Sequence, residues 1–279
     1  MNPQDTPLQE KTSFYFPMLL LPRDQREALE VLYRFCWLAD EISDGPGSLP
    51  VKKQKLSACK KELKACLAGR SRDPLFQKLQ AVILQYKMSP EPLWRIISGV
   101  ERDLKPIHFK TFGELHDYAL KVAGGPGLAS MEIFGFKDEA HRVYAENLGV
   151  FLQLVNMTRD YREDMALNRQ YFPSEDFKRF HLIPGSIEEK DSHWVPFVEF
   201  QLERAWSYLK IARQSLSLRQ RSELTTAEAI SAVYFKLGQK LWNNPRAILR
   251  GKTSLSKADK LLSVVGAWLR CLSWRYASK

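Results

Sequence analysis

Apolar positions recur with a helical period along most of the chain, and one segment breaks its own pattern. Between residues 148 and 164, Leu148, Val150, Phe151, Leu152, Leu154, Val155 and Met157 form a largely apolar run, interrupted by Gln153, Asn156, Asp160 and Asp164 at spacings of 3, 4 and 4. Such spacings place the four polar residues along one stripe of a helix. The apolar neighbours predict burial of that helix. A buried row of like charges is costly unless a cation or a dense set of hydrogen bonds compensates it. The stripe therefore points to a metal-bearing cavity.

The same reading predicts further helices on either side. Pro22-Arg-Asp24 opens a helix that runs to about Ser43 and stops at Asp44-Gly-Pro-Gly47. Amphipathic helices are expected near 51–67 and 74–86, and another from Pro90 carries Trp94, Ile97, Val100 and Leu104. Thr111 is a candidate N-cap, with Glu114 as its capping-box partner. That helix runs into Gly124-Gly-Pro-Gly127, where a kink and a close backbone approach are expected. The polar-stripe helix is expected over 138–166, followed by an irregular turn at 168–173 and helices near 191–217, 223–245 and 256–277. No linker-like stretch divides the chain, so residues 1–279 are read as a single all-α domain with residues 1–12 as a flexible tail.

A second acidic pair lies on the first long helix. Tyr33, Trp37, Asp40 and Asp44 share one face, and Glu41 adjoins them. Alone, an Asp-x-x-x-Asp pair most often marks a solvated face. Two such pairs facing each other suit a sharper task. Magnesium prefers one or two carboxylates together with phosphate oxygens and water. Two aspartate-rich walls could hold about two or three Mg²⁺ ions around a diphosphate and make it a good leaving group. The carbocation left behind needs a dry, aromatic-lined pocket.

Composition narrows the class. Hydrophobic residues make up 44% of the chain and there are seven Trp, so a large core can form. The net charge of +10 suits nucleic acid, an anionic membrane surface or phosphorylated small molecules. The absence of a basic low-complexity tail and of a nucleic-acid module argues against nucleic acid. Cys36, Cys59, Cys66 and Cys271 lack metal-ligand spacing and read as core residues of a reducing compartment. The five histidines read as structural. No apolar run approaches the roughly 20 residues that span a bilayer. The expected location is the cytoplasm, with peripheral contact at the inner face of the membrane as a further expectation. The aromatic, basic segment Ala267–Tyr276 is read as a packed terminal helix rather than a membrane foot.

At this point the residues resemble the squalene and phytoene synthases. Ser13-Phe-Tyr-Phe, Leu20-Leu-Pro22, Arg26 and Leu32-Tyr-Arg-Phe-Cys36 resemble the family's N-terminal segment and first helix. Ala39-Asp-Glu-Ile-Ser-Asp44 resembles its first aspartate motif, and Tyr118-Ala-Leu-Lys-Val-Ala-Gly124 its Val-Ala-Gly motif. Gly99-Val-Glu-Arg-Asp-Leu104 is similar to the segment before its central helices. Leu148 through Asp164, with Arg169-Gln-Tyr-Phe-Pro173, is similar to its second aspartate motif. The match runs in order over roughly 13–262.

The resemblance implies an isoprenoid-synthase helical bundle around a central cavity and a Mg²⁺-dependent head-to-head condensation of two prenyl diphosphates. By position, Asp40, Asp44, Asp160 and Asp164 would bind Mg²⁺ with support from Asn156. Tyr33 and Tyr118 would act beside them as catalytic residues. Arg159, Tyr171, Tyr234 and Arg250 would contact substrate, as would Ser13 and Phe14. Gln153, Val122, Ala123 and Gly127 would line the prenyl tunnel with Met18. The family's usual Arg after Phe-Cys is Trp37 here, which removes one expected diphosphate contact unless Arg34 replaces it. Glu41 replaces an aspartate, Gly45 an acidic residue and Pro126 a valine.

The leading expectation is presqualene diphosphate or a squalene-type product from two farnesyl diphosphates, because Ser130-Met-Glu-Ile-Phe-Gly135 looks like bacterial presqualene diphosphate synthases. Phytoene or dehydrosqualene synthesis is the nearest alternative. A non-catalytic descendant acting in lipid binding or assembly is a second class, and a basic nucleic-acid binder a third. No reductant requirement is indicated, although NADPH use is compatible, and no protein partner is expected.

Overall fold

The computed structural model describes residues 13–277, so the expected tail over 1–12 lies outside the described residues. The described chain is a helical assembly whose one β-type pairing is an isolated bridge between His108 and Gln170. The short helix α1 (Tyr15–Met18) precedes α2 (Arg23–Asp44), which starts directly after Pro22 and stops at Gly45. Helices α3 (Leu49–Leu67), α4 (Pro74–Tyr86) and α5 (Glu91–Asp103) follow. Asp73 caps α4 by accepting from the N–H groups of Leu75 and Phe76, which removes two orphan donors. Thr111 caps α6 (Phe112–Ala119), but only half of the expected box forms. The Glu114 carboxylate accepts from the Lys110 N–H instead of the Thr111 N–H.

The glycine-rich interruption is absorbed without a break. A π-helical turn (Leu120–Gly124) links α6 directly to α7 (Gly125–Ile133). The close backbone approach expected there is found. A Cβ on Gly149 would come within 2.9 Å of the Ala123 backbone, and one on Gly127 within 3.1 Å of the Ala145 carbonyl oxygen. The missing side chains let the π turn and α7 lie directly against α8 (Glu139–Arg159).

The helix expected over 138–166 has one interruption. It ends at Arg159, and Asp160 (φ −96°, ψ 8°) leaves helical geometry before α9 (Tyr161–Ala166). Helices α10 (Ser174–Arg179), α11 (Trp194–Gln214), α12 (Leu218–Glu223) and α13 (Thr225–Asn243) come next. A 3₁₀ turn (Pro245–Leu249) then leads to α14 (Lys257–Ala277). Ser217 and Gln220 complete a full capping box on α12.

Two apolar cores hold these helices. One gathers Phe151, Leu154 and Val155 of α8 with Phe197 and Leu202 of α11 and Val233 of α13. The other gathers Leu32 and Phe35 of α2 with Phe76, Leu79 and Ile97. Phe14 and Phe134 pack against both. The buried Glu228 carboxylate, on α13, accepts from Tyr144 Oη at 2.9 Å and from Arg221 Nε at 2.8 Å, tying α8, α12 and α13. The last helix is packed on one face only. Val264, Ala267 and Cys271 are buried, whereas Leu262, Trp268 and Leu269 are exposed.

The crossing at Gly149 gives a test of the packing. Gly149→Ala is expected to destabilise the protein by about 2 kcal/mol, because the added methyl meets backbone that cannot move aside. Urea denaturation measures it, and a variant as stable as wild type would contradict so close a crossing.

Candidate active site

The seam between the two cores contains a cavity of about 320 Å³. Leu29, Leu32, Tyr33, Cys36 and Asp40 of α2 line one side, and Ala145, Leu148, Gly149, Leu152, Gln153 and Asn156 of α8 line the other. Each row spans twelve residues, or about 16 Å of helix. Both rows become polar toward their C-terminal ends. The cavity is therefore apolar at one end, around Leu29, Met131 and Phe134, and polar at the other, around Asp40 and Asn156. The expected tunnel residues Phe14, Met18, Val122, Ala123, Gly127 and Gln153 all line it. Trp37 is half-buried and is not among the lining residues.

Carboxylates crowd the polar end. Asp40 meets the water of the cavity mouth, yet protein surrounds it closely enough that burial, with the charges of Asp44 and Asp103, pushes its pKa up to about 7. Asp164 on α9 is likewise pushed up to about 7, by burial and then by the Asp160 charge, against the opposing pull of Arg169. Burial also works to raise Asp160. There the hydrogen bonds and charges of Arg159 and Lys252 outweigh it and hold the carboxyl below its ordinary value. Arg159 Nε lies 2.7 Å from Asp160 Oδ1, and Lys252 Nζ lies 3.0 Å from the same oxygen. Asp44 is paired at 2.6 Å with Arg169, whose charge also acts on Asp103 and Asp164. One guanidinium thus stands between the two acidic sets.

A third acidic position joins them. Asp103, at the end of α5, hydrogen-bonds with Tyr118, which also hydrogen-bonds with Tyr171. Burial pushes Asp103 up to about 6, the Tyr118 hydrogen bond opposes this, and the Asp44 charge adds to it. Sequence reasoning assigned Asp103 no role, although a signal was present. Ile96 and Val100 line the cavity, and Asp103 continues their stripe by another three residues. Arg169 also went unassigned, whereas Lys252, with Lys257 and Lys260, reads from the sequence as either a solvated surface residue or one near diphosphate or anionic lipid.

Most expected site residues come together here. Tyr234 is buried in the first core, where Asn156 and Ser13 hydrogen-bond its phenol and Arg159 lies close. Tyr118 and Tyr171 stack at 5.8 Å behind Asp103 rather than facing the cavity. Arg250 is a correction. Its guanidinium pairs with Glu189 at 2.9 Å, 64% of its side chain is exposed, and Lys252 takes the place beside Asp160. The irregular turn after Leu249 decides which cation points inward. Gly45 also has a local reason, because a Cβ there would lie 2.5 Å from the Glu41 carbonyl oxygen and 2.7 Å from Glu41 Oε1.

The donor set fits a hard divalent cation. Among the described residues no three acidic, histidine or cysteine side chains converge closely enough to hold a metal by themselves. The oxygens instead stand apart, so a divalent cation held here would take one or two carboxylates and complete its shell with phosphate and water. Asn156 Oδ1 and Asp103 Oδ1 are buried without a hydrogen-bond partner. The raised values of Asp40 and Asp164 mark carboxylates that lack sufficient positive charge.

Comparison with known proteins agrees with this geometry. The squalene/phytoene synthase family model matches residues 9–259. The 15-cis-phytoene synthase of Synechococcus elongatus is 28% identical over 275 residues, covering 92% of this chain and 88% of that protein. A chloroplastic phytoene synthase of Daucus carota is 28% identical over 271 residues, covering 93% and 67%. Among solved structures, a dehydrosqualene synthase with bound ligand superposes with a TM-score of 0.78 at 21% identity, covering 94% of this chain and 92% of that one. Squalene synthase HpnC from Alicyclobacillus acidocaldarius superposes at 0.66 with 22% identity, covering 99% and 97%. The likeness to these two structures establishes the isoprenoid-synthase helical fold.

The raised carboxylates predict a pH effect of definite sign. Because Asp40 and Asp164 bind protons more tightly in the folded state, their contribution to stability is present at low pH. It is lost as pH rises from about 4 through about 7. Asn at both positions removes the loss. The double variant Asp40→Asn, Asp164→Asn is therefore expected to gain at least about 3 °C in Tm over metal-free wild type on going from acid to mildly alkaline buffer. A difference that stays constant with pH in calorimetry would contradict the site electrostatics.

Proposed function

Because the chain belongs to the squalene/phytoene synthase family, a family of prenyltransferases, we propose that it joins two farnesyl diphosphates head to head into presqualene diphosphate or a squalene-type product. The observation that carries this reading is the cavity, apolar around Leu29, Met131 and Phe134 and polar around Asp40 and Asn156, where the other carboxylates gather nearby. A farnesyl chain, with twelve carbons in line, extends on the order of 15 Å, and a geranylgeranyl chain, with sixteen, on the order of 20 Å. The span of the lining rows, about 16 Å with their polar ends included, is nearer the length of the shorter chain.

Asp40 and Asp44 on one side, with Asp160, Asp164 and Asn156 on the other, would hold Mg²⁺. Bound there, the metal supplies positive charge to the diphosphate and makes it a better leaving group. The chain's own residues do the rest. Arg159 and Lys252, already poised at Asp160, supply fixed cationic donors for departing phosphate oxygens. Arg169, 2.6 Å from Asp44, would supply a further cationic donor for phosphate beside that carboxylate. Leu29, Leu32, Leu148 and Phe134 exclude water from the allylic cation, and Tyr33 presents an aromatic ring near the polar end. The cation alkylates the double bond of the second molecule, and loss of a proton closes the cyclopropane ring. The second molecule keeps its diphosphate. Tyr118, held by Asp103 and Tyr171, orients the wall behind the reacting groups.

The named relatives favour a second reading, phytoene synthesis from the longer geranylgeranyl chain. One experiment separates the two. The purified protein is incubated with either diphosphate and Mg²⁺, with and without NADPH, and the lipids are identified by mass spectrometry. Conversion of farnesyl diphosphate is expected, with at least about a thousandfold loss in the Asp160→Ala, Asp164→Ala variant. Exclusive use of geranylgeranyl diphosphate would favour phytoene synthesis, and no turnover of either would remove the prenyltransferase reading. Trp37→Arg is expected to leave activity intact or raise it, because Trp37 does not line the cavity. A collapse in kcat would assign that ring a role of its own.

A further inference from the structure

Helix α14 carries two apolar faces, and only one is packed. Val264, Ala267 and Cys271 face the core. On the other side Leu261, Leu262, Val265, Trp268, Leu269 and Tyr276 are 42–73% exposed. At 100° per residue these six positions fall within an arc of about 120°, a continuous stripe along the helix. Isolated exposed leucines are ordinary on a protein surface, but a contiguous stripe of this kind marks an interaction site.

Charge indicates what the stripe meets. Residues 257–279 contain Lys257, Lys260, Arg270, Arg275 and Lys279 against Asp259 alone. Along one edge of the stripe, Leu262 borders a groove between α13 and α14 that Arg213, Lys236 and Arg270 also line. No carboxylate is among the residues lining that groove. Arg213 Nε is buried there 3.9 Å from Glu228 Oε2, and burial lowers the Arg213 pKa against the pull of Glu228, with the charges of Arg221 and Arg270 adding to the lowering. The local field is positive and incompletely compensated.

We propose that the exposed face of α14 and the adjoining basic groove form an interfacial surface that docks onto a bilayer of anionic phospholipids. The helix lies in the plane of the membrane, its leucines and Trp268 reach the acyl boundary, and the groove takes lipid phosphate. Among the described residues no helix is long and apolar enough to cross a membrane, so the contact is peripheral. A second copy of the chain is a poorer occupant, because a two-fold contact would bring the same basic edges together. The surface also adjoins the cavity wall. Helix α1 packs on α14, and Phe14 and Met18 at α1 line the cavity. A hydrocarbon ligand therefore lies one helix away from the docked face.

The test uses the full chain and sedimentation with vesicles of phosphatidylglycerol and phosphatidylcholine. Wild type is expected to bind the mixed vesicles, more weakly at high salt, and to bind pure phosphatidylcholine poorly. Leu262→Glu, Leu269→Glu and, separately, Lys236→Glu, Arg270→Glu are each expected to lower partitioning about tenfold while Tm and turnover of detergent-dispersed substrate stay at wild-type values. Brominated acyl chains are expected to quench part of the wild-type tryptophan fluorescence, and Trp268→Phe to remove that part without weakening binding. Failure of wild type to bind anionic vesicles at low salt, or equal binding by both variants, would overturn the proposal. So would a wild-type dimer in light scattering that the leucine variant converts to monomer. Turnover is read separately, so either outcome leaves the prenyl-transfer reading intact.

Discussion

Mutual repulsion among carboxylates at the polar end of an apolar cavity is the constraint on which the site depends. Asp40, Asp44, Asp103, Asp160 and Asp164 come from three separate stretches of chain, and burial makes the charges of Asp40, Asp103 and Asp164 costly. The protein answers unevenly. Arg159 and Lys252 hold Asp160 below its ordinary value and Arg169 pairs with Asp44, while Asp40 and Asp164 are left with a strong affinity for protons. A site arranged in this way is less stable without positive charge than with it, and the Mg²⁺ and diphosphate proposed to bind there would bring that charge to the polar end of the cavity.

The fold makes such an arrangement tolerable. Two cores, rather than one, pack the helices, and the seam between them carries the cavity. The rigid side of the seam is α8, which buries Phe151, Leu154 and Val155 in one core and turns Gln153 and Asn156 to the cavity. Gly149 and Gly127 let α8 approach the π turn and α7 closely. The departure of Asp160 from helical geometry then frees its carboxylate to meet Arg159 and Lys252.

Much of this was legible in the sequence because helical spacing fixes which side chains share a face. Gln153 and Asn156 reach the cavity as their spacing requires, as do Tyr33 and Asp40, whereas Trp37, expected on the same face, does not line it. What spacing cannot show is how irregular segments aim their side chains. Arg250 and Lys252 lie two residues apart after a 3₁₀ turn, and only the folded turn decides that Lys252 faces Asp160. Asp103 was readable as a continuation of Ile96 and Val100, yet an acid at a helix end also reads as an ordinary terminus. In α14, apolar residues on both faces hid the fact that only one face is packed.

The central claim is that the acidic walls become a binding site only when a divalent cation joins them to a diphosphate. Calorimetric titration with a non-ionisable farnesyl thiodiphosphate, with and without Mg²⁺, tests it most directly. The account predicts tight binding with Mg²⁺, at least about a hundredfold weaker binding without it, and loss of that difference in Asp40→Asn, Asp164→Asn. Equal affinity in the presence and absence of Mg²⁺ would contradict it.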